Sequence, residues 1–447
     1  MTGGQELKRV LTPIHLWAIA VGLVISGDYF GWNYGLAKGG PVGMMIATLV
    51  ITVMYVCFIF SYTELATAIP HSGGPYAFAR RALGPLGGYI AGFATVVEFV
   101  FAPPAIARAI GAYVNFRVPS MSVNAVAIGA FFVFGIINVL GVGLAATFEL
   151  VVTAAAAFEL FLFFFLTGPH VDTALIMRDP MPNGWSGVFA ALPFAIWFYL
   201  AIEGVAMSAE ETVNPRKDIP KGYIAGILTL VVLALGTLTC TSGVLPWPEL
   251  VKDDSPLPKA LATVLSPDHP MTHLMVYLGL FGLIASFHGI MMGYSRQVFA
   301  LAREDYLPRF LADLHPRFKT PYWAVIVPGI FGAAAVLTER TDELITLSGL
   351  GAVVLYIVSM ISLFALRKKE PQLERPFIAP MYPVFPAVAL AIALVAFVAF
   401  SMSSPMVLGI FFGMLVLGAV HFRFVTLPKL QKPQAAGAST GSTSAAA

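Results

Sequence analysis

Long apolar runs, rather than short alternating ones, organise this chain. Twelve of them can be marked, at approximately 13–37, 42–65, 85–115, 121–139, 143–168, 186–211, 221–243, 271–301, 321–338, 342–366, 381–401 and 404–424. As helices they have the length needed to cross a hydrocarbon core about 30 Å thick. Polar residues gather in the short intervals between runs, and no interval is long enough to hold a soluble domain. The pattern predicts an all-α membrane protein of about 12 transmembrane helices, a single polytopic domain over residues 1–424.

Composition narrows the function classes. Of 447 residues, 58% are apolar and 11% charged, against about 25% charged in soluble domains. The formal charge is +2, and no basic run alternates with stacking aromatics, so nucleic acid is not an expected partner. Cys57 and Cys240 lie inside apolar runs and read as small hydrophobes, not as a disulfide. No H-E-x-x-H cluster and no nucleophile with a base at readable spacing argues for an embedded enzyme, and neither metal nor cofactor is expected. No soluble output domain follows Phe424, which argues against a sensor. No phosphate-binding loop is present, so transport of a solute would draw on ion gradients or exchange.

Charge also gives orientation. With the N-terminus inside, nineteen of the 26 lysines and arginines fall on the cytoplasmic side and six outside, leaving Arg108 within a span. That asymmetry predicts cytoplasmic N- and C-termini. Lys8 and Arg9 precede a run that contains Asp28 and lacks a small-residue cleavage site, so it reads as a retained first helix. Residues 425–447 read as a disordered cytoplasmic tail, low in complexity after Lys432; the G-x-S-x-G match at Gly437–Gly441 lacks any strand-turn-helix context and is chance. The absence of an N-x-S/T sequon fits a bacterial inner membrane.

Two runs carry an acid beside glycine at mid-depth. The first holds Ser26-Gly27-Asp28-Tyr29-Phe30-Gly31 and the sixth Ala201-Ile202-Glu203-Gly204. A carboxylate at the bilayer centre costs about 2.5–3.5 kcal/mol on insertion scales and is retained where it faces a cavity or a partner. Broken helices at spans 1 and 6 have the layout of a five-plus-five inverted repeat, here about 13–168 and 186–366 with two further helices over 381–424. The alternative is that each acid caps the free amides of its own break. Other polar groups inside the runs are Glu98, Arg108, Glu149, Glu159, Ser286 and His288. Glu98 and Glu159 are candidates for proton coupling; pairing with Arg108 or with backbone groups is the other reading. His288 reads as a core histidine.

Three longer motifs carry a resemblance. Tyr62-Thr63-Glu64-Leu65 with Pro70 and Ser72-Gly73-Gly74-Pro75-Tyr76, then Glu210-Glu211-Thr212-Val213-Asn214-Pro215-Arg216-Lys217, then Ser295-Arg296-Gln297 through Arg303-Glu304-Asp305, resemble signatures of the amino acid, polyamine and organocation superfamily. The resemblance implies the leucine-transporter-type fold, with helices 1 and 6 unwound at a central site. It also exposes a departure. Where most members have a G-S-G-like triplet whose bare amides hold a substrate carboxylate, this chain has Ser26-Gly27-Asp28. A fixed carboxylate there repels an amino acid's carboxylate and attracts an amine without one. The stretch Ile25–Leu36 resembles the ethanolamine permease branch in particular. Some members place a lysine on helix 5; the matching residue here is Glu159, so that lysine's role does not carry over.

The expected site is therefore Ser26, Gly27, Asp28, Tyr29, Trp197, Tyr199, Glu203 and Gly204. For Tyr29, Trp197 and Tyr199, ordinary helix packing is an equal alternative. The expected function is proton-coupled uptake of ethanolamine or a close amino alcohol by alternating access, with a neutral or cationic amino acid permease as the rival. Orientation has a direct check: a reporter fused after Lys432 is expected to read cytoplasmic and one inserted near Asp253 periplasmic, and the reverse at either point overturns the topology.

Overall fold

Apolar helices and the signals that end them account for nearly all of the chain. The structure is a computed structural model and describes residues 9–141 and 146–431. Lys8, the start of the fifth run at 143–145, Lys432 and the tail containing Gly437 and Gly441 lie outside the described residues. The spanning helices are α1 (Pro13–Val24), α2 (Leu36–Ala68), α3 (Pro85–Arg117), α4 (Val123–Leu140), α5 (Ala146–Thr167), α6 (Gly184–Ile196), α7 (Pro215–Val244), α8 (Pro270–Arg303), α9 (Tyr322–Val336), α10 (Thr341–Lys369), α11 (Val384–Ser403) and α12 (Pro405–His421). Among the described residues nine helices are long and apolar enough to cross a membrane, and three shorter apolar ones, Pro13–Tyr29, Gly184–Ile196 and Tyr322–Val336, complete the expected twelve.

Helix ends follow local chemistry. Proline stands at the first turn of α1, α3, α7, α8 and α12, where its missing N–H is no loss. Ser122 and Ser404 accept from Ala125 N and Val407 N at the starts of α4 and α12. Gly141 ends α4 in the left-handed conformation. The chain continues past α12 as a helical turn to Thr426 and a helix over Leu427–Gln431. The described part of the expected disordered tail, 425–431, is thus helical. The cause is docking: Thr426 Oγ1 donates to the Asp305 carbonyl, Lys429 pairs with the Asp305 carboxylate at 3.0 Å, and Leu427 and Leu430 pack on Tyr76, Tyr306 and Phe422.

The neighbour relations are those of a five-plus-five repeat. α2 packs on α6 as α7 packs on α1; α3 packs on α10 as α8 packs on α5; α3 packs on α4 as α8 packs on α9. Exchanging each of the first five helices with the one five places later, α1 with α6 through α5 with α10, maps each of these pairs onto its counterpart. α1 packs on α7, α7 on α2 and α2 on α6 as one bundle, and α3, with α8 and α10 packed on it, forms the support.

Both expected breaks are present, displaced from the acids. Span 1 stays helical through Tyr29 and breaks at Phe30 (extended, φ −162°) and Gly31 (φ 95°), a conformation open mainly to glycine. A 3-10 turn, Trp32–Gly35, then leads into α2, whose first turns are set off by Gly40 at φ 66°. Span 6 leaves α6 after Ile196, passes Ala201 at φ 78°, and resumes as a 3-10 helix over Ile202–Glu211. A non-glycine residue held there is strained backbone, which folds retain at functional sites.

The three motif segments meet one another on the face that carries both described termini. Ser72 N donates to Glu210 Oε1 at 2.9 Å, Arg296 pairs with Glu211 at 2.9 Å, and Arg80 pairs with Glu304. Glu64, 1% exposed, accepts Arg367 through both oxygens at 2.8 and 2.6 Å and also faces Arg375 and Ala379 N. Removing one partner of a buried ion pair typically costs about 3–5 kcal/mol. Because Arg367 and Arg375 retain some water contact, Glu64→Ala is expected to cost about 3 kcal/mol. Thermal unfolding of purified protein measures it, and an unchanged midpoint would show that the network does not hold the face together.

Candidate functional site

The two breaks lie against each other. A Cβ on Gly27 would collide with the Trp197 carbonyl oxygen, and one on Gly31 with the Trp197 indole nitrogen. Phe30 meets the Trp197 ring edge-on at 5.6 Å, and Trp32 stacks on Phe198 at 5.7 Å. Glycine is required at 27 and 31 for this approach.

Non-helical backbone at membrane depth needs partners within the protein. Here uncharged side chains supply them. Ser286 Oγ donates to Leu23 O at 2.7 Å, Trp32 Nε1 to Asp28 O at 3.3 Å, and Tyr113 Oη to Tyr29 O at 3.3 Å, while Gly31 N donates to Asn33 Oδ1 at 2.9 Å. At the second break Tyr223 Oη donates to Glu203 O at 3.0 Å and accepts from Ala206 N at 3.0 Å. Ser26 Oγ lies 2.8 Å from Ser286 Oγ and belongs to the same set.

The acids are left over. Asp28 is fully buried, and among the described residues neither carboxylate oxygen has a hydrogen-bond partner. It therefore does not cap its own break. Glu203 Oε2 accepts from Tyr356 Oη at 3.2 Å, and its Oε1 has no partner. Glu98 is fully buried with both oxygens unpartnered and lies beside the Glu203 carboxyl. Trp197 Nε1 is a buried donor without an acceptor.

The remaining expected residues divide. Tyr199 joins the site wall, its Oη 2.6 Å from Thr52 Oγ1 and its ring 5.0 Å from Tyr55. Gly204 packs under Leu23 of α1. Tyr29 points away toward α5, where its Oη donates to Glu159 Oε2 at 2.7 Å. Arg108 pairs with Asp254 at 3.4 Å and bonds Thr341 and Asn124, so neither Glu98 nor Glu159 has it as a partner. Tyr55, Tyr356 and Tyr223 were not expected. Each is one tyrosine in an apolar run, with no local signal separating it from a packing residue.

Access differs between the two faces. On the terminal face a cavity of about 210 Å³ runs from Val10 and Arg296 to Leu23, Gly204, Glu149 and His288. On the opposite face Asn33 Nδ2 donates to the carbonyls of Leu250 and Asp253 at 2.6 and 2.9 Å, and Tyr34 Oη to Asp254 at 2.6 Å, holding the α7–α8 connection over the site. The terminal-face cavity reaches Gly204 but is not lined by Asp28 or Trp197, and a cavity of about 410 Å³ on the opposite face lies against the α7–α8 connection at Asp253 and Lys259.

A broken-helix pair in a five-plus-five bundle is the architecture of a permease, and a sequence comparison decides the family: the amino acid permease model matches residues 11–421. The chain belongs to the amino acid permease family. It is 32% identical to an uncharacterised transporter of Rhizobium meliloti (strain 1021) over 87% of this chain and 85% of the relative. It is 26% identical to a branched-chain amino acid permease of Bacillus subtilis (strain 168), over 88% of each. It is 25% identical to a methylthioribose transporter of the same organism, over 87% of this chain and 88% of the relative. This permease is a multi-pass membrane transporter of a small organic solute.

The Tyr29–Glu159 contact generates a stability test. Tyr29→Phe leaves the Glu159 carboxyl buried without its donor, at an expected cost of about 1–3 kcal/mol. Glu159→Gln keeps an acceptor for Tyr29 and is expected to cost less. Thermal unfolding of the two variants gives the order, and a larger loss for Glu159→Gln would overturn this account of the contact.

Proposed function

We propose that this permease takes up ethanolamine or a close small amino alcohol, with protons as the driving ion, by alternating access in a bacterial inner membrane. The observation that carries the reading is the Asp28 carboxylate, buried in the span 1 break with both oxygens free. A desolvated carboxylate without a partner is costly, and an ammonium brought in by the substrate is the partner that fits. The surrounding surface suits such a ligand. Phe30 and Trp197, in edge-on contact at the break, are aromatic residues of the kind that receive a cation, and the free Trp197 Nε1–H is a donor for a hydroxyl oxygen. An amino acid would bring its own carboxylate toward Asp28, where like charge disfavours it.

The family description and the relative named for branched-chain amino acids favour a second reading, an amino acid permease in which Asp28 binds the amine alone. Relatives at nearly equal identity are named for a branched-chain amino acid and for methylthioribose, so likeness at this level does not choose the substrate.

Competition in proteoliposomes separates the readings: ethanolamine is expected to displace label where glycine and alanine do not. Asp28→Asn removes the charge at nearly constant size, and loss of a charge-assisted contact costs about 1.5–3 kcal/mol, or roughly 10- to 150-fold in affinity. Asp28→Gly is expected to relax the rejection of amino acids. Unchanged ethanolamine affinity in monodisperse Asp28→Asn protein would remove the main support for an amine without a carboxylate.

A further inference from the structure

Glu98 and Glu203 stand apart from the ammonium site in one respect: they face each other. Glu203 opens the second half of span 6, in the bundle of α1, α2, α6 and α7, whereas Glu98 is on α3, in the support. A Cβ on Gly204, next to Glu203, would meet the ring of Phe99, next to Glu98, at 3.2 Å, which brings the two acids to one level with their carboxyls side by side; two residues before Glu203, Ala201 turns the break at φ 78°. On the support side α10 presses on α3 at this level. Ser348 Oγ donates to Glu98 O at 2.7 Å, and a Cβ on Gly351 would lie 2.8 Å from Glu98 N.

The polar groups gathered here are neutral hydroxyls: Tyr356 Oη of α10 donates to Glu203 Oε2, Tyr55 Oη of α2 lies 2.9 Å from Tyr356 Oη, Tyr223 Oη of α7 donates to the Glu203 carbonyl, and the Tyr62 ring of α2 meets that of Tyr223 at 6.2 Å. Tyr62 Oη is itself buried and without a partner. Among the described residues neither acid has a lysine, arginine or histidine partner. Arg108, on the same helix as Glu98, is committed to Asp254. Two ionised carboxylates in contact, away from water and without a cation, repel each other with nothing to offset it. One proton between them turns the repulsion into a charge-assisted O–H···O⁻ contact.

We propose that Glu98 and Glu203 hold one proton between them and form the site at which proton movement is coupled to movement of the bundle. Loading forms one carboxyl O–H bond and joins bundle to support. Displacement of span 6 against α3 parts the acids, and the proton, no longer shared, leaves to the water that the displacement admits. One proton enters and one leaves per cycle, and no other group changes oxidation or bonding. The assignment rests on the proton-driven part of the proposed function. It separates the two coupling candidates, because Glu159 is occupied by Tyr29.

The test uses the full chain in proteoliposomes with labelled ethanolamine and, in parallel, labelled leucine. If only leucine is carried, the substrate reading fails and the coupling measurement proceeds on leucine. For one proton per substrate, an inward-directed gradient of one pH unit supports about tenfold accumulation in the wild type. Glu98→Gln is expected to bring that ratio close to one while reducing counterflow, which needs no net proton movement, far less. An undiminished ratio overturns the pair, as does equal loss of both activities in monodisperse protein, or accumulation by the wild type on a sodium gradient alone. If Glu98→Gln is not monodisperse, Glu98→Asp replaces it, since it keeps the carboxyl and shortens its reach. A collapsed ratio with counterflow retained then supports the pair, and a wild-type ratio overturns it.

Discussion

Everything at the centre of this permease depends on one constraint: a backbone that leaves the helix inside a bilayer must find its hydrogen bonds within the protein. Span 1 gives up regular helix at Phe30 and Gly31, and span 6 between Trp197 and Ala201. The exposed peptide groups are met by Ser286, Trp32, Tyr113, Asn33 and Tyr223, every one uncharged. Close approach of the breaks, permitted by Gly27 and Gly31, excludes the space in which backbone would otherwise stay unpaired. Because neutral side chains do this, Asp28 is not needed as a cap. On the proposed reading its charge is left for the substrate.

The same division of labour appears at the terminal face, where charge is used for structure. Glu64 with Arg367 and Arg375, Glu211 with Arg296, and Arg80 with Glu304 tie the ends of α2, span 6, α8 and α10 together. Each arginine there keeps partial contact with water, so the desolvation cost that burdens fully buried pairs is reduced. At mid-depth no such relief exists, and the acids there carry no arginine or lysine partner. Paired charge near the water fixes the frame, and unpaired charge at the centre is available for function.

Much of this was legible in the sequence, for identifiable reasons. The twelve spans follow from run length alone, since the bilayer sets a single length scale. The breaks were legible as an acid beside glycine, and the turning residues Phe30, Gly31 and Ala201 fall inside the stretches so marked, a few residues from the acids themselves. The acid marks where charge is needed, whereas the backbone turns where φ is freest, at Gly31, or where strain is held, at Ala201. Helix at 425–431 was missed because its cause is a tertiary dock onto Asp305. Tyr55, Tyr356 and Tyr223 were invisible for a related reason: a hydroxyl in an apolar run announces neither its partner nor its direction. Tyr29 shows the converse. Adjacent in sequence to Asp28, it sits one residue further round the helix and faces Glu159 on α5.

On the proposed reading, burial of Asp28 does more than select a cation. An empty site carries an uncompensated carboxylate, and movement of the bundle would have to bring that charge through an environment with no water to solvate it. A bound ammonium removes the penalty, so the loaded bundle crosses more readily than the empty one. Selectivity and obligatory loading then have the same origin, the cost of a bare charge in a dry site. An amino acid satisfies Asp28 with its amine but introduces a second carboxylate that the break, with its amides and carbonyls already engaged by Ser286, Trp32 and Asn33, has little left to accommodate. The substitution of Asp28 for a bare glycine thus acts twice, by adding an attraction for the amine and by withdrawing the place where a carboxylate would sit.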